Sequence, residues 1–136
     1  MRLLTMKSGQ VRVLPFLFFF LFIGYIIYAA DADNGSWLIE TAKTIKHGDK
    51  LGHFLLYGIL SFLLNVALNH RKISSIRVPI GSILVLAFAL IEEFTQLAFA
   101  SRTFDWVDML CDVVGIGLFA LITYGKSQTK APPTSI

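Results

Sequence analysis

An all-α bundle of four membrane-spanning helices is the architecture this sequence predicts, and two observations predict it. First, 55% of the 136 residues are hydrophobic and the mean hydropathy is +0.68, too apolar for a soluble domain of this length. Second, the apolar residues fall into four runs, at 14–30, 51–68, 78–100 and 106–124. Each is close to the ~20 residues a helix needs to cross a bilayer. Together with their short connections the runs occupy residues 1–125, read as one membrane domain. Residues 126–136 are polar, contain Pro132-Pro133, and are read as a disordered cytoplasmic tail.

Taken in order, the run at 14–30 has no charged residue and follows a basic flank. It also has the look of a secretory signal peptide, with Ala30-Asp31-Ala32 as a small-x-small cleavage site. It is longer than the usual ~7–15-residue apolar core of such peptides, and Asp31 lies inside the site, so it is read as a retained span. The 31–50 segment is an outer loop. Asn34-Gly35-Ser36 there marks a turn and an N-cap, followed by a short interfacial helix with Trp37, Leu38, Ala42 and Ile45 on one side. The 69–77 segment is a basic loop, and Pro79 stands near the start of the third span, where its missing N–H costs little.

Charge fixes the predicted topology. Four spans place Arg2, Lys7, Arg12, Arg71, Lys72, Arg77, Lys126 and Lys130 on one side, with no acid. Lys43, Lys46, Lys50 and Arg102 lie on the other side with every Asp and Glu. The positive-inside rule then puts both termini in the cytoplasm. The net charge of +3 is thus an orientation signal, and no nucleic-acid partner is expected. The single cysteine, Cys111, excludes an intrachain disulfide and reads as a packing residue. Nothing in the sequence specifies an oligomeric state.

Polar groups inside the spans gather at the outer end. They are Asp49-Lys50-x-x-His53-x-x-x-Tyr57, Glu92-Glu93-x-x-Gln96, Arg102, Asp105-x-x-Asp108 and Asp112-x-x-Gly115. An ionisable group in a span costs roughly 2.5–3.5 kcal/mol on insertion scales, which makes each a functional-site candidate. At about 100° per residue, each set forms one stripe on its helix. At ~1.5 Å of rise per residue the stripes fall into matched layers. Asp49, Lys50, Arg102 and Asp105 lie at the interface; His53, Gln96 and Asp108 come next; Tyr57, Glu93 and Asp112 lie deepest. The simplest packing turns these stripes together into a pocket open to the outside. Polar glue between helices is the competing account, with Arg102 pairing to Asp105 or Asp108, but adhesion does not need so many charges at one end.

His53, Glu93 and Asp108 are the acid/base candidates. Lys50 and Arg102 are expected to hold an anionic group, since both cations pair with phosphate. Tyr57, Gln96, Asp49 and Asp112 complete the expected substrate-binding set. No HxxxH or HxxE spacing is present, so no metal or other cofactor is expected; a divalent ion on His53, Glu93 and Asp108 is the weaker alternative.

The ordered set Asp49-Lys50-x-x-His53-Phe54-x-x-Tyr57, Glu93-x-x-Gln96, Arg102 and Asp108-x-x-x-Asp112-x-x-Gly115 resembles the VanZ-like family of bacterial membrane proteins. The resemblance covers roughly residues 45–120, with the first span in its expected place. The family takes its name from a protein linked to low-level resistance to teicoplanin. The resemblance implies an integral protein of the bacterial envelope, and a general family role rather than glycopeptide resistance itself. It does not bring a settled reaction. The family usually has Asn where this chain has Asp112, and Glu92 is an acid beyond the family pattern. Asp112 is therefore expected to be neutral or paired, and Asp108 to act as a charge near Arg102.

These readings converge on a multi-pass protein of the bacterial cytoplasmic membrane, with an outward pocket that binds or processes an envelope component, plausibly a lipid-linked precursor. A small transport or proton-relay unit is the runner-up, and a structural partner in an envelope complex the third reading. Catalysis itself is left open.

Overall fold

The computed structural model describes residues 8–32 and 36–128. Asn34, Gly35, most of the 126–136 tail, and the N-terminal Arg2 and Lys7 lie outside the described residues. The elements are α1 (Ser8–Asp31), α2 (Trp37–Thr44), α3 (Gly48–Ala67), α4 (Ile80–Thr95) and α5 (Trp106–Gln128), with a 3-10 turn at Gln96–Ala98 after α4. The segments Gly9–Asp31, Gly48–Ala67, Ile80–Ala98 and Trp106–Tyr124 are each long and apolar enough to cross a membrane. The fold is the expected all-α one with four spans.

Packing supports the membrane reading. Phe18, Leu21, Ile91, Leu97, Trp106 and Leu121 are each more than three-fifths exposed. So broad an apolar surface suits lipid rather than water. The buried core is small: Ile23, Tyr57, Leu60, Val85, Ala89 and Ile116, flanked by phenylalanines and leucines. α3 is the hub, packing on α1, α4 and α5, and most extensively on α5. Small residues permit that approach. At Gly115 a Cβ would collide with the Phe54 carbonyl, and at Gly81 with the Asn65 side chain.

Three boundaries differ from the sequence expectation. α1 begins at Ser8 and runs through Pro15 rather than starting beside it. A proline inside a membrane helix is tolerated because neighbouring groups re-satisfy the backbone. α2 stops at Thr44, leaving Ile45 in extended backbone, and its N-cap Ser36 makes no side-chain cap bond. The third helix does not continue to 100. The Thr95 hydroxyl donates to the Glu92 carbonyl (2.7 Å), the chain tightens into the 3-10 turn, and Phe99 is extended. A hydroxyl competing for a backbone carbonyl in this way weakens helix continuation. The chain then returns through 99–105 to the start of α5.

The basic loop is a compact turn, with Ile73 N–H on the Val78 carbonyl (3.0 Å) and Ile80 N–H on the Arg71 carbonyl (3.0 Å). Pro79 caps α4 from outside its first turn. At this end Arg12 meets Asn69, and the Lys72 ammonium lies 3.9 Å from the centre of the Tyr124 ring. The opposite end holds the acids.

Candidate functional site

The polar end begins at Lys50 in the first turn of α3. Its ammonium is 2.9 Å from Asp105, 3.1 Å from Asp49 and 3.2 Å from Asp108. An ammonium has three N–H donors, and three carboxylates face this one. Asp105 stands just ahead of α5. One of its carboxylate oxygens accepts the Val107 N–H (2.8 Å), an N-cap bond, while the other takes Lys50. The Lys50 hydrogen bond, and after it the Val107 amide, hold the Asp105 carboxyl below the usual carboxylate range.

One turn further along α3, His53 Nδ1 is 3.1 Å from Asp112 Oδ1. Its Nε2 faces Asp108 Oδ2 at 3.8 Å, too far for a direct hydrogen bond. Asp112 is 1% exposed, and its other oxygen, Oδ2, has no hydrogen-bond partner. Tyr57 follows on the same face, its ring stacked near that of His53 (centroids 5.8 Å apart), and its hydroxyl donates to Glu92 (3.2 Å).

α4 supplies the deepest acids. Glu93 is fully buried and accepts the Asp105 backbone N–H (2.9 Å) and the Gln96 amide (2.9 Å). Glu92 accepts from Tyr57, Gln96 and Arg102. Arg102, on the return loop, joins Glu92 and Asp31 at 3.2 Å each. Ser101 donates to the Asp31 carbonyl (2.9 Å), so this loop also ties down the end of α1.

All nine candidate residues therefore lie at one end of the bundle, but the pairing differs from the layered expectation. Arg102 pairs with Asp31 and Glu92, not with Asp105 or Asp108; Lys50 takes those two. α4 ends at Thr95, and the loop that follows lies against the end of α1, where Ser101 and Arg102 both meet Asp31. Asp108 is partnered by Lys50. Asp49 is peripheral, its side chain 61% exposed and paired only with Lys50. Glu92, placed in the polar stripe by the sequence but given no specific role, and Asp31, left out of it, both join this network. For Glu92 the i, i+4 spacing to Gln96 was the available signal; for Asp31 there was none. Among the described residues, no group of three or more His, Cys, Asp or Glu side chains could hold a metal ion, so His53, Glu93 and Asp108 do not form such a set.

Beside this network is a cavity of about 790 Å³. α1 and α2 line it with Phe22, Ile23, Ile26, Ile27, Leu38 and Ile39. The rest of the bundle lines it with His53, Tyr57, Glu92, Gln96, Arg102 and Asp108, and Lys43 and Lys46 come from the α2 end. Glu93 and Asp112 stand behind that lining.

Among known proteins, the family model described as VanZ/LLP1 matches residues 3–126. No curated protein and no solved structure matches the chain.

Proposed function

The chain belongs to the VanZ/LLP1 family of membrane proteins, and on that premise we propose that it binds an amphiphile of the bacterial envelope in a chamber at the outer face of the cytoplasmic membrane. The observation that carries this reading is the mixed lining of the cavity. One side is aliphatic and aromatic, suited to an acyl or isoprenoid chain, and the other is charged, suited to a head group. Orientation follows from the basic residues, which favour a cytoplasmic location for both termini. α1 supplies much of the apolar wall, so the reading also keeps it as a retained span.

The chemistry within reach is proton exchange. Asp112 orients His53 through Nδ1, and Nε2 then faces the chamber beside Asp108. Processing of the bound molecule is an extension of binding in this proposal. The test is to purify the full chain, extract it with solvent and identify what is retained. One amphiphile should be enriched over bulk lipid, and Ile26→Trp, which fills the apolar wall, should lose it while inserting at normal abundance. A lipid complement identical to bulk membrane in both proteins overturns the reading.

A further inference from the structure

The polar end of the chamber suits a different head group from the anionic one that Lys50 and Arg102 suggested. Resting on the binding role above, we propose that the occupant carries a primary ammonium, seated between Asp108 and His53.

The cations are already committed. Lys50 directs its three donors at Asp49, Asp105 and Asp108, and Arg102 bridges Asp31 and Glu92. A phosphate brought to this point would displace carboxylates from both and meet Glu92 and Asp108 in the same wall. The carboxylates here outnumber the fixed cations, so a positive occupant lowers the electrostatic cost of the set and a negative one raises it.

Hydrogen-bond geometry narrows the choice further. With Nδ1–H given to Asp112, His53 Nε2 is an acceptor, and Asp108 Oδ2 is another, 3.8 Å away. Two acceptors at that separation call for a group bringing at least two hydrogens. A primary ammonium brings three and also the missing charge. A water brings the hydrogens without the charge, a quaternary ammonium the charge without the hydrogens, and a hydroxyl only one hydrogen. Lys46 lines the same cavity from the α2 end, beside Lys43, which is paired with the exposed Glu40. Lys46 suits the phosphate of a zwitterionic lipid whose amine points inward.

The experiment uses the full chain, stripped of lipid in a polyoxyethylene detergent. It is offered equal amounts of phosphatidylethanolamine, phosphatidylcholine and phosphatidylglycerol with identical acyl chains. Lipid retained per protein is measured after repurification. The ethanolamine lipid should exceed each of the others by at least about tenfold, the scale of one charge-assisted hydrogen bond. Asp108→Asn should remove that preference, and Leu110→Ala, on the exposed face of α5, should keep it. Equal retention of the choline lipid, or preference for the glycerol lipid, overturns the ammonium. If Asp108→Asn or Ile26→Trp still diminishes that retention, the binding role survives alone. Retention of all three lipids that neither substitution alters, or of none, overturns both. The ranking by the unaltered protein decides the ammonium even where a variant fails to fold.

Discussion

The two ends of the bundle bury polar groups in contrasting ways. At the basic-loop end, the inner one in the proposed orientation, the α3–α4 contact holds Ser61, Ser82 and Asn65, all within 4% of full burial. The Ser82 hydroxyl lies 2.9 Å from the Ser61 hydroxyl and accepts the Asn65 amide at 2.9 Å. The clasp is neutral, built from small side chains, packed against Gly81, and absent from the lining of the chamber. The outer end holds ionisable groups from α1, α3, α4, α5 and the return loop, beside a cavity. A hydrogen bond between membrane helices contributes about 0.6 kcal/mol on average, whereas each ionisable group costs roughly 2.5–3.5 kcal/mol to insert. Adhesion needs only the inner arrangement. The outer one exceeds what adhesion requires, which is why the function is placed there.

Four predictions break or sharpen this contrast. The largest effect is expected for Arg102→Met, which strands Asp31 and the buried Glu92. Removing one partner of such a pair costs about 3–5 kcal/mol, so abundance in the membrane and melting temperature in detergent should both fall. A variant that melts like the parent would make Arg102 dispensable to the fold and free for a ligand.

Next comes a matched pair. In Asp112→Asn the amide oxygen keeps the His53 bond, and its NH2 replaces an oxygen that has no partner; this change should be tolerated. Asp108→Asn removes the charge facing Lys50 and His53 and should abolish a cellular phenotype at normal abundance. Complementation with quantified membrane protein ranks the two, and the reverse order would move the essential charge to Asp112.

Glu93→Gln should have a smaller, structural effect. Both Glu93 oxygens accept from N–H donors, so an amide there sets its NH2 against one of them, at about 1–3 kcal/mol. A thermal melt in detergent reads the loss, and a Glu93→Gln protein that melts like the parent would mean that position 93 does not need a carboxylate. Smallest is Ser82→Ala, expected to cost ~0.6 and at most ~1.7 kcal/mol, with the phenotype unchanged. A lost phenotype at full abundance would extend the functional region across the membrane and revive transport.

Much of the fold was legible because lipid imposes long apolar runs: four spans, their approximate ends and the short interfacial helix could all be read. The gathering of polar groups at one end was legible from depth and stripe. Pairing was not. Whether Lys50 or Arg102 meets Asp108 depends on the course of the chain after α4, and no glycine or proline in residues 96–105 marks that course. The Ser61–Ser82–Asn65 clasp escaped notice because serine and asparagine barely disturb an apolar run. Asp31 looked like the end of a span, since its partner lies 71 residues away.

The distance along the chain between partners sets a schedule. Lys50 is synthesised 58 residues before Asp108, and His53 59 before Asp112. At ~5–20 residues per second the wait is about 3–12 s. Through that interval Lys50 has only Asp49, its neighbour, of its three carboxylates, and His53 lacks its aspartate. Both sit within the first two turns of α3, where a long or amphipathic side chain can still reach the water. The deep acids Glu92, Glu93 and Asp112 emerge later, when Tyr57 and His53 are already in place to receive Glu92 and Asp112. Their remaining partners follow within a few residues, Gln96 three after Glu93 and Arg102 ten after Glu92, so the deep acids wait far less for a counterpart than Lys50 and His53 do.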